Sequence, residues 1–370
     1  MARWERYTIL EGQIRMKMAP GKKRVFKVVL AGAAIVTLAV TLAGCGQAAN
    51  TQAASKPKQL VLYSAQGYDA AMAKAFQAKT GIQVKLSDMS TGPLIGKIEA
   101  EKSNSHWDVA WFDGDASMQE LDNEGLLLKG WTPNDVSNLT PLGRSLVAPD
   151  KSYYPGGVTA AAAIGVNTKL LPKAEYPKDW KDLLNPTFKN AVAMNDPSIS
   201  GPTYPFVAGI LNLMGNTRGK KFFLEMKANG MKVGRTNNVE LNGLLTGQYK
   251  AVMIQDSALV SAKAKGEPIN IIYPSSGVFT LPDVLGINKN APDMAAAKEF
   301  VEYVLSREGQ KVMSNPRNGG GDSYYNPVVT GIKPNAARQQ SGINWKRVDP
   351  VASAKDENSI KKWFNDNITQ

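Results

Sequence analysis

Short apolar runs alternate with amphipathic stretches along most of the chain beyond residue 59. LVLYS, residues 60–64, has the pattern of a short strand. The following YDAAMAKAFQAKTG places Ala71, Ala75, Phe76 and Ala78 near one helical face and stops at Gly81. IQVKLS, residues 82–87, alternates as a strand does. STGPLIGKIEAEKSN predicts a helix opened by Thr91 and Pro93, and DVAWF, residues 108–112, predicts another strand. Strands and helices in this alternation predict a parallel α/β sheet with right-handed crossovers.

The same grammar continues downstream. NAVAMNDPS and YKAVMIQDS read as strand and turn, and residues 200–215 as a helix with its lead-in. DMAAAKEFVEYVLSREGQKVMS, residues 293–314, reads as one periodic helix carrying Phe300, Tyr303, Val304 and Val312. Two extended runs, 157–167 and 277–288, are long for single strands. They read as segments that leave one lobe and enter another, which makes the second lobe an insertion in the first. The expected division is a first lobe of residues 59–157 plus 284–370 and a second lobe of 158–283. No internal repeat is present.

Residues 1–44 have a different character. KKRVFK is a basic lead-in, the run 28–43 is continuously apolar, and LAGC closes it at Cys45. A run this short reads as a signal peptide and not as a membrane span. Leu-Ala-Gly-Cys resembles a bacterial lipobox, so Cys45 is the expected lipidation site and mature N-terminus. Residues 1–15 do not look like part of a signal peptide, and translation is expected to start at Met16 or Met18. Residues 45–58, small and polar, read as a flexible tether. The expected location is therefore extracytoplasmic, anchored to a membrane of the cell envelope.

Composition narrows the possibilities. With 43% hydrophobic and 21% charged residues the chain is globular, long enough for two lobes. The formal net charge is +12; eight basic and two acidic residues lie in 1–44, so the rest carries +6. That excess suits anionic partners or a solvated basic surface. No basic run interleaved with aromatics follows residue 45, so nucleic acid is not an expected partner. Cys45 is the one cysteine and His106 the one histidine. There is no Gly-x-Ser-x-Gly elbow, and nothing pairs a nucleophile with a base. A secreted hydrolase is the competing class, and the expectation is no enzyme, no cofactor and no resident metal.

Candidate binding residues gather at strand-to-helix turns: Ser64, Ser90-Thr91-Gly92 and Ser200-Gly201. Helix N-termini offer unpaired N–H groups and a positive dipole end, and several facing one cleft bind an anion without Arg or Lys. Helix capping by the same hydroxyls is the plain alternative. Tyr204 lies within the turn after Ser200. Asp113 and Asp115, in WFDGDAS, could hold an ammonium or simply form a turn.

LVLYSAQG, FQAKTGIQVKL, LIGKIEAEKSNSHWDVAWFDGD, SISGPTYPFVAGILNLMG and AAAKEFVEYVLSREGQKVMS, together with the lipobox and tether, resemble extracellular solute-binding proteins of ABC importers. The resemblance is to the ferric-iron, 2-aminoethylphosphonate and thiamine-type group and covers roughly residues 59–335. It implies the α/β, two-lobed type II periplasmic-binding fold with two crossover strands and a ligand cleft between the lobes. It also implies a small-molecule solute, ABC permease subunits as partners, and a monomer. In this group the turn matching Ser200-Gly201 contacts an anionic group, and a second-lobe polar contact falls near Asn237. Ferric members carry adjacent tyrosines after the strand that here reads AVMI; this chain has Gln255, Asp256, Ser257 and Ala258 there. Asp256 is accordingly expected to serve the amine end of an organic anion such as a phosphonate or phosphate ester. Tyr324 and Tyr325, in GGGDSYYNPV, are expected to form an aromatic wall of the cleft, with ferric binding as the alternative.

Intact mass spectrometry checks the start and the anchor together. The precursor should begin at Met16 or Met18 and the mature chain at an acylated Cys45; a precursor extending to Met1 contradicts the assigned start.

Overall fold

Two β-sheets share the folded chain, and the polypeptide passes between them twice. The computed structural model describes residues 58–339 and 341–370. The leader, Cys45, the start at Met16 or Met18 and all but the last residue of the tether lie outside the described residues. The strands are β1 (Gln59–Ser64), β2 (Gln83–Asp88), β3 (Val109–Asp113), β4 (Tyr153–Ala160), β5 (Ala163–Asn167) and β6 (Val192–Asn195). They continue with β7 (Lys232–Gly234), β8 (Ala251–Ile254), β9 (Ile269–Ile272), β10 (Val278–Ile287), β11 (Asn326–Pro327) and β12 (Trp345–Lys346). The first sheet runs β2-β1-β3-β10-β4-β11, with β12 also paired to β10. The second runs β7-β6-β8-β5-β9.

The expected parallel sheet is present only in part. β1 is parallel to β2 and β3, and β6 to β7 and β8. The strands flanking the crossings, β4, β5 and β10, pair antiparallel to their neighbours, except for the short parallel pairing of β10 with β12. A strand that follows a crossing enters its new sheet directly, without the helix that a parallel connection requires.

Each crossing lies beside one of the long extended runs. Only Ala161 and Ala162 separate β4 from β5, and both are buried. The return passes between Ile272 and Val278. The expected boundaries at 157/158 and 283/284 therefore fall inside β4 and β10, not at the crossings. The C-terminus differs too. Residues 284–370 were expected in the first lobe, but Phe364 and Ile368 are buried in the second lobe's core. The helix Pro350–Phe364 also touches the first lobe, where Ser117 donates to Glu357 at 2.6 Å.

Aromatic packing fills both cores. Phe76 meets Phe300 edge-on at 5.2 Å in the first lobe, and Trp180 meets Phe206 at 4.9 Å in the second. Burying each such ring stabilises the fold by roughly 1.5–3 kcal/mol. The single helix expected over 293–314 is two, Met294–Leu305 and Arg307–Met313. Ser306 is extended between them, and its Oγ accepts from the Gly309 N–H at 3.1 Å, capping the second. The buried face changes phase at the break: Val304 and Leu305 are followed by exposed Arg307 and Glu308, and burial resumes at Gly309, Gln310 and Met313.

Asp256 and Arg338 meet at the crossings. Arg338 Nη2 lies 2.7 Å from Asp256 Oδ2, and both side chains are 0% exposed. The other Asp256 oxygen accepts from the Ala160 N–H at 2.9 Å and from the Thr159 hydroxyl. Tyr273, on the return crossing, donates to Oδ2 at 3.0 Å. Arg338 also donates to the Tyr324 carbonyl at 2.6 Å. One carboxylate thus ties both crossings to the loop after the last first-lobe helices. Losing one partner of a buried pair costs about 3–5 kcal/mol. Denaturant unfolding should show Asp256→Ala destabilised by about that amount, and Asp256→Ala with Arg338→Met should lose less than the two single changes summed.

Candidate functional site

The carboxyl ends of strands from both sheets face a cleft of about 620 Å³. Ser90, Pro202, Thr236 and Gln255 line it, and each is the residue immediately before a helix: Thr91–Ala100, Thr203–Met214, Asn237–Thr246 and Asp256–Ala264. None of the four makes a side-chain cap bond to its helix. Away from the cleft, Thr140, Asp293, Ser306 and Asp349 all cap theirs. Capping is therefore not what Ser90 and Thr236 do. Their hydroxyls and four positive dipole ends face the cavity from both lobes.

The lobes touch across the mouth of this cleft. The Gly92 N–H donates to the Ile199 carbonyl at 3.2 Å. A Cβ on Gly92 would lie 2.0 Å from the Ser198 oxygen, and one on Gly201 would lie 2.4 Å from Thr91 Oγ1. Both positions require glycine for the lobes to approach this closely.

A chain of polar side chains crosses the cleft floor. In the first lobe, Gln66 Nε2 and the Tyr325 phenol donate to Asp113 Oδ1 at 3.0 and 2.7 Å. Gln255 of the second lobe donates to the Tyr325 oxygen. Asn237 then donates to Gln255 and Asn195 to Asn237, each at 2.6 Å. Asn195 reaches the Ser200 hydroxyl at 3.2 Å. Every link is an amide, hydroxyl or carboxylate, so lobe closure is registered by hydrogen bonds and not by apolar contact alone.

The expected site residues separate into three groups. Thr91, Asp113, Ser200, Gly201 and Asn237 line the cleft. The Ser200 N–H is taken by the Asp196 carbonyl, which leaves its hydroxyl as the group available to a ligand. Ser64 and Gly92 stand beside it: Ser64 Oγ accepts from the Gln66 N–H at 3.1 Å, and Gly92 joins the lobes. Four residues lie elsewhere. Asp256 is committed to Arg338 at the crossings. Tyr204 donates to the Ser353 carbonyl on the far side of its helix. Tyr324 and Tyr325 are buried at 5% and 4% exposure; they form no aromatic wall, and Tyr325 acts from beneath through Asp113. Asp115 starts the helix Asp115–Asn123 away from the cleft, and His106 is exposed beside Asn104.

Gln66, Asp88, Thr236 and Asp322 line the cleft without having been singled out. Gln66 follows the same strand-to-helix rule as Ser64 and was legible there. Asp322 sits one residue from the SYY sequence, inside a glycine turn that no period marks. Its Oδ2 accepts from the Gly67 N–H at 2.6 Å. Burial, reinforced by Asp113, pushes the Asp322 carboxyl up to about 8. Burial likewise raises Asp113 to about 6, against the pull of Gln66 and Tyr325. Among the described residues no group of three or more His, Cys, Asp or Glu side chains is arranged to hold a metal ion.

The profile of the bacterial extracellular solute-binding protein family matches residues 112–345, well over half the chain. The chain belongs to this family. It is 25% identical over 281 residues to the major ferric iron-binding protein of Neisseria meningitidis serogroup B, covering 73% of this chain and 82% of that one. It is 24% identical over 247 residues to a putative 2-aminoethylphosphonate-binding periplasmic protein of Salmonella typhimurium, covering 65% and 69%. Among solved structures, the periplasmic binding protein AfuA of Actinobacillus pleuropneumoniae, with fructose-6-phosphate bound, superposes with a TM-score of 0.77. That match has 20% identity and covers 85% of this chain and 99% of AfuA. The two-lobed periplasmic-binding fold expected from sequence is thus the fold of this family member. Among the described residues no helix is long and apolar enough to cross a membrane.

The raised carboxyls give a signed pH dependence. An acid whose folded value lies above its unfolded one binds more protons in the folded state, so it loses stability as pH rises. Thermal melts of the ligand-free domain should decline as pH rises from about 4 through about 8. Asp322→Asn should flatten that decline and raise the melting temperature at the alkaline end.

Proposed function

We propose that this solute-binding protein captures a small organic anion, a phosphonate or phosphate ester, and delivers it to an ABC permease. The observation that carries the reading is the set of four helix N-termini that open on the cleft without side-chain caps. A tetrahedral oxyanion accepts hydrogen bonds in several directions at once and satisfies converging N–H and hydroxyl donors. Hydroxyls of Ser90, Thr91, Ser200 and Thr236 supply donors without placing a fixed cation in the cleft. The family relatives include one named for a phosphonate, and one solved structure of the same fold holds a sugar phosphate.

Ferric iron is the second reading, favoured by the name of the Neisseria relative. The chemistry of the tyrosines weighs against it. A phenolate ligand needs its proton removed, whereas burial and nearby Asp113 and Asp322 push the Tyr325 phenol well above its ordinary value. Binding in the cleft, and not catalysis, is what these groups are equipped for: no His, Cys or Lys is among the described residues that line it. The anchor through an acylated Cys45 and the monomeric state belong to the same proposal.

Isothermal titration of the mature domain tests the reading. Alkylphosphonates or phosphate esters should bind, and Ser200→Ala should weaken them by about tenfold, the loss expected for one charge-assisted hydrogen bond. Absence of heat with every such anion, together with a visible charge-transfer band on adding ferric salt, contradicts it.

A further inference from the structure

The C-terminal helix, Pro350–Phe364, lies across a seam between the lobes. Its far end belongs to the second lobe: Phe364 and, just beyond it, Ile368 are buried in that core, and the Lys227 ammonium donates to the Asn367 carbonyl at 2.8 Å. Its middle rests on two other helices at once. Asp115–Asn123 sends Met118 and Leu121 into the first lobe's core, and Thr203–Met214 sends Phe206, Val207 and Ile210 into the second's. Ala116 of the first, Tyr204 and Ala208 of the second, and Ile360 of the C-terminal helix pack together as one small cluster. The two seam helices start at the edges of the cleft. Asp113 leads into one, Ser200 and Gly201 into the other, and all three residues line the cavity. The starts lie close together: a Cβ on Gly114 would be 3.8 Å from the Gly201 oxygen. Whatever holds the two helices side by side therefore holds the cleft edges together.

The polar contacts around this cluster are unequal. The Tyr204 phenol donates to the Ser353 carbonyl, a bond within the lobe to which the C-terminal helix is already fixed. Across the seam, the Ser117 hydroxyl donates to Glu357 Oε1 at 2.6 Å, and both residues are 4% exposed. Lys361 also donates to Oε1, and its ammonium lies 5.5 Å from the centre of the Tyr204 ring. Glu357 Oε2 has no hydrogen-bond partner. A carboxylate buried with one oxygen unsatisfied destabilises the shut seam, and parting the lobes returns that oxygen to water. The fastening is thus a charge-assisted bond that opening partly compensates, which makes it releasable. We propose that the C-terminal helix is a strap, fixed to the second lobe and fastened to the first through Ser117 and Glu357, that sets the balance between a shut and an open cleft. Turning about the crossings draws the two seam helices apart, and Ser117 then has to leave Glu357. The strap acts whichever solute the cleft takes, so it stands apart from the anion reading.

Double electron–electron resonance on the mature chain, with no solute added, tests this. Nitroxide labels at Lys74→Cys and Lys232→Cys report the separation of the lobes; both positions are exposed, one on each lobe. Cys45→Ser removes the one native cysteine. Ser117→Ala should raise the ratio of the longer to the shorter distance about tenfold, the loss of one hydrogen bond to a charged group. Glu357→Ala should shift it the same way, and Ser117→Thr, which keeps the hydroxyl, should match the wild type. Tyr204→Phe removes a buried hydrogen bond to the same helix but none across the seam, and should leave the ratio within about twofold. An unchanged ratio in both Ser117→Ala and Glu357→Ala overturns the strap. Equal opening in Tyr204→Phe also overturns it, because loosening of the helix as a whole then moves the lobes. If Glu357→Ala gives no cooperative melt, Ser117→Ala decides alone.

Discussion

The Asp256–Arg338 pair is the constraint on which the two-lobed arrangement depends. It is buried where the chain leaves one sheet for the other, and its hydrogen bonds reach residues 159–160, 273 and 324. A charge desolvated to this degree is tolerable only with its partner in place. The pair therefore holds the two crossings in one register, and with them the relative positions of every strand end at the cleft. The two buried alanines between β4 and β5 add no bulk that would oppose rotation about that point.

From that hinge the cleft acquires its chemistry by position. Thr140, Asp293, Ser306 and Asp349 cap helices elsewhere, while, as at Gly114 and Gly215, the four N-termini that open on the cleft have no side-chain cap. Their unspent donors are tolerable because a ligand or water can take them. Gln66 Oε1 has no hydrogen-bond partner and burial raises the Asp113 and Asp322 carboxyls, so these groups are destabilising features in the unliganded protein. Such a cleft is costly for the fold when empty and gains from occupancy, the energetic form expected of a receptor that closes on its cargo. The side-chain chain from Asp113 to Ser200 links the two ends of the cavity through both lobes, so closure and ligand orientation are set together.

Much of this was legible in the chain. Strand and helix periods located most elements of the first sheet, and the two long extended runs marked where the lobes exchange. Small hydroxyl residues at strand ends pointed to Thr91 and Ser200, which line the cleft, because local turn geometry decides where they sit. What local pattern cannot show is which of several buried acids finds a partner distant in sequence. Asp256 looked like a free cleft acid because Arg338, 82 residues away, leaves no trace near it. Tyr324 and Tyr325 drew attention by their chemistry, yet the backbone turns them beneath the floor and presents Asp322 instead. The break at Ser306 was missed for another reason: Phe300, Val304 and Val312 fit one helical period in the sequence, whereas in the second helix Gln310 and Met313 are buried and Val312 is only half-buried.

The most direct measurement is the crystal structure of the mature protein with a bound alkylphosphonate. The account predicts a phosphorus atom in the cleft, its oxygens within hydrogen-bonding distance of Ser90, Thr91 and Ser200, with Tyr324 and Tyr325 making no contact. A phosphonate bound against the tyrosines, or a cleft left without it at saturating concentration, would contradict the account.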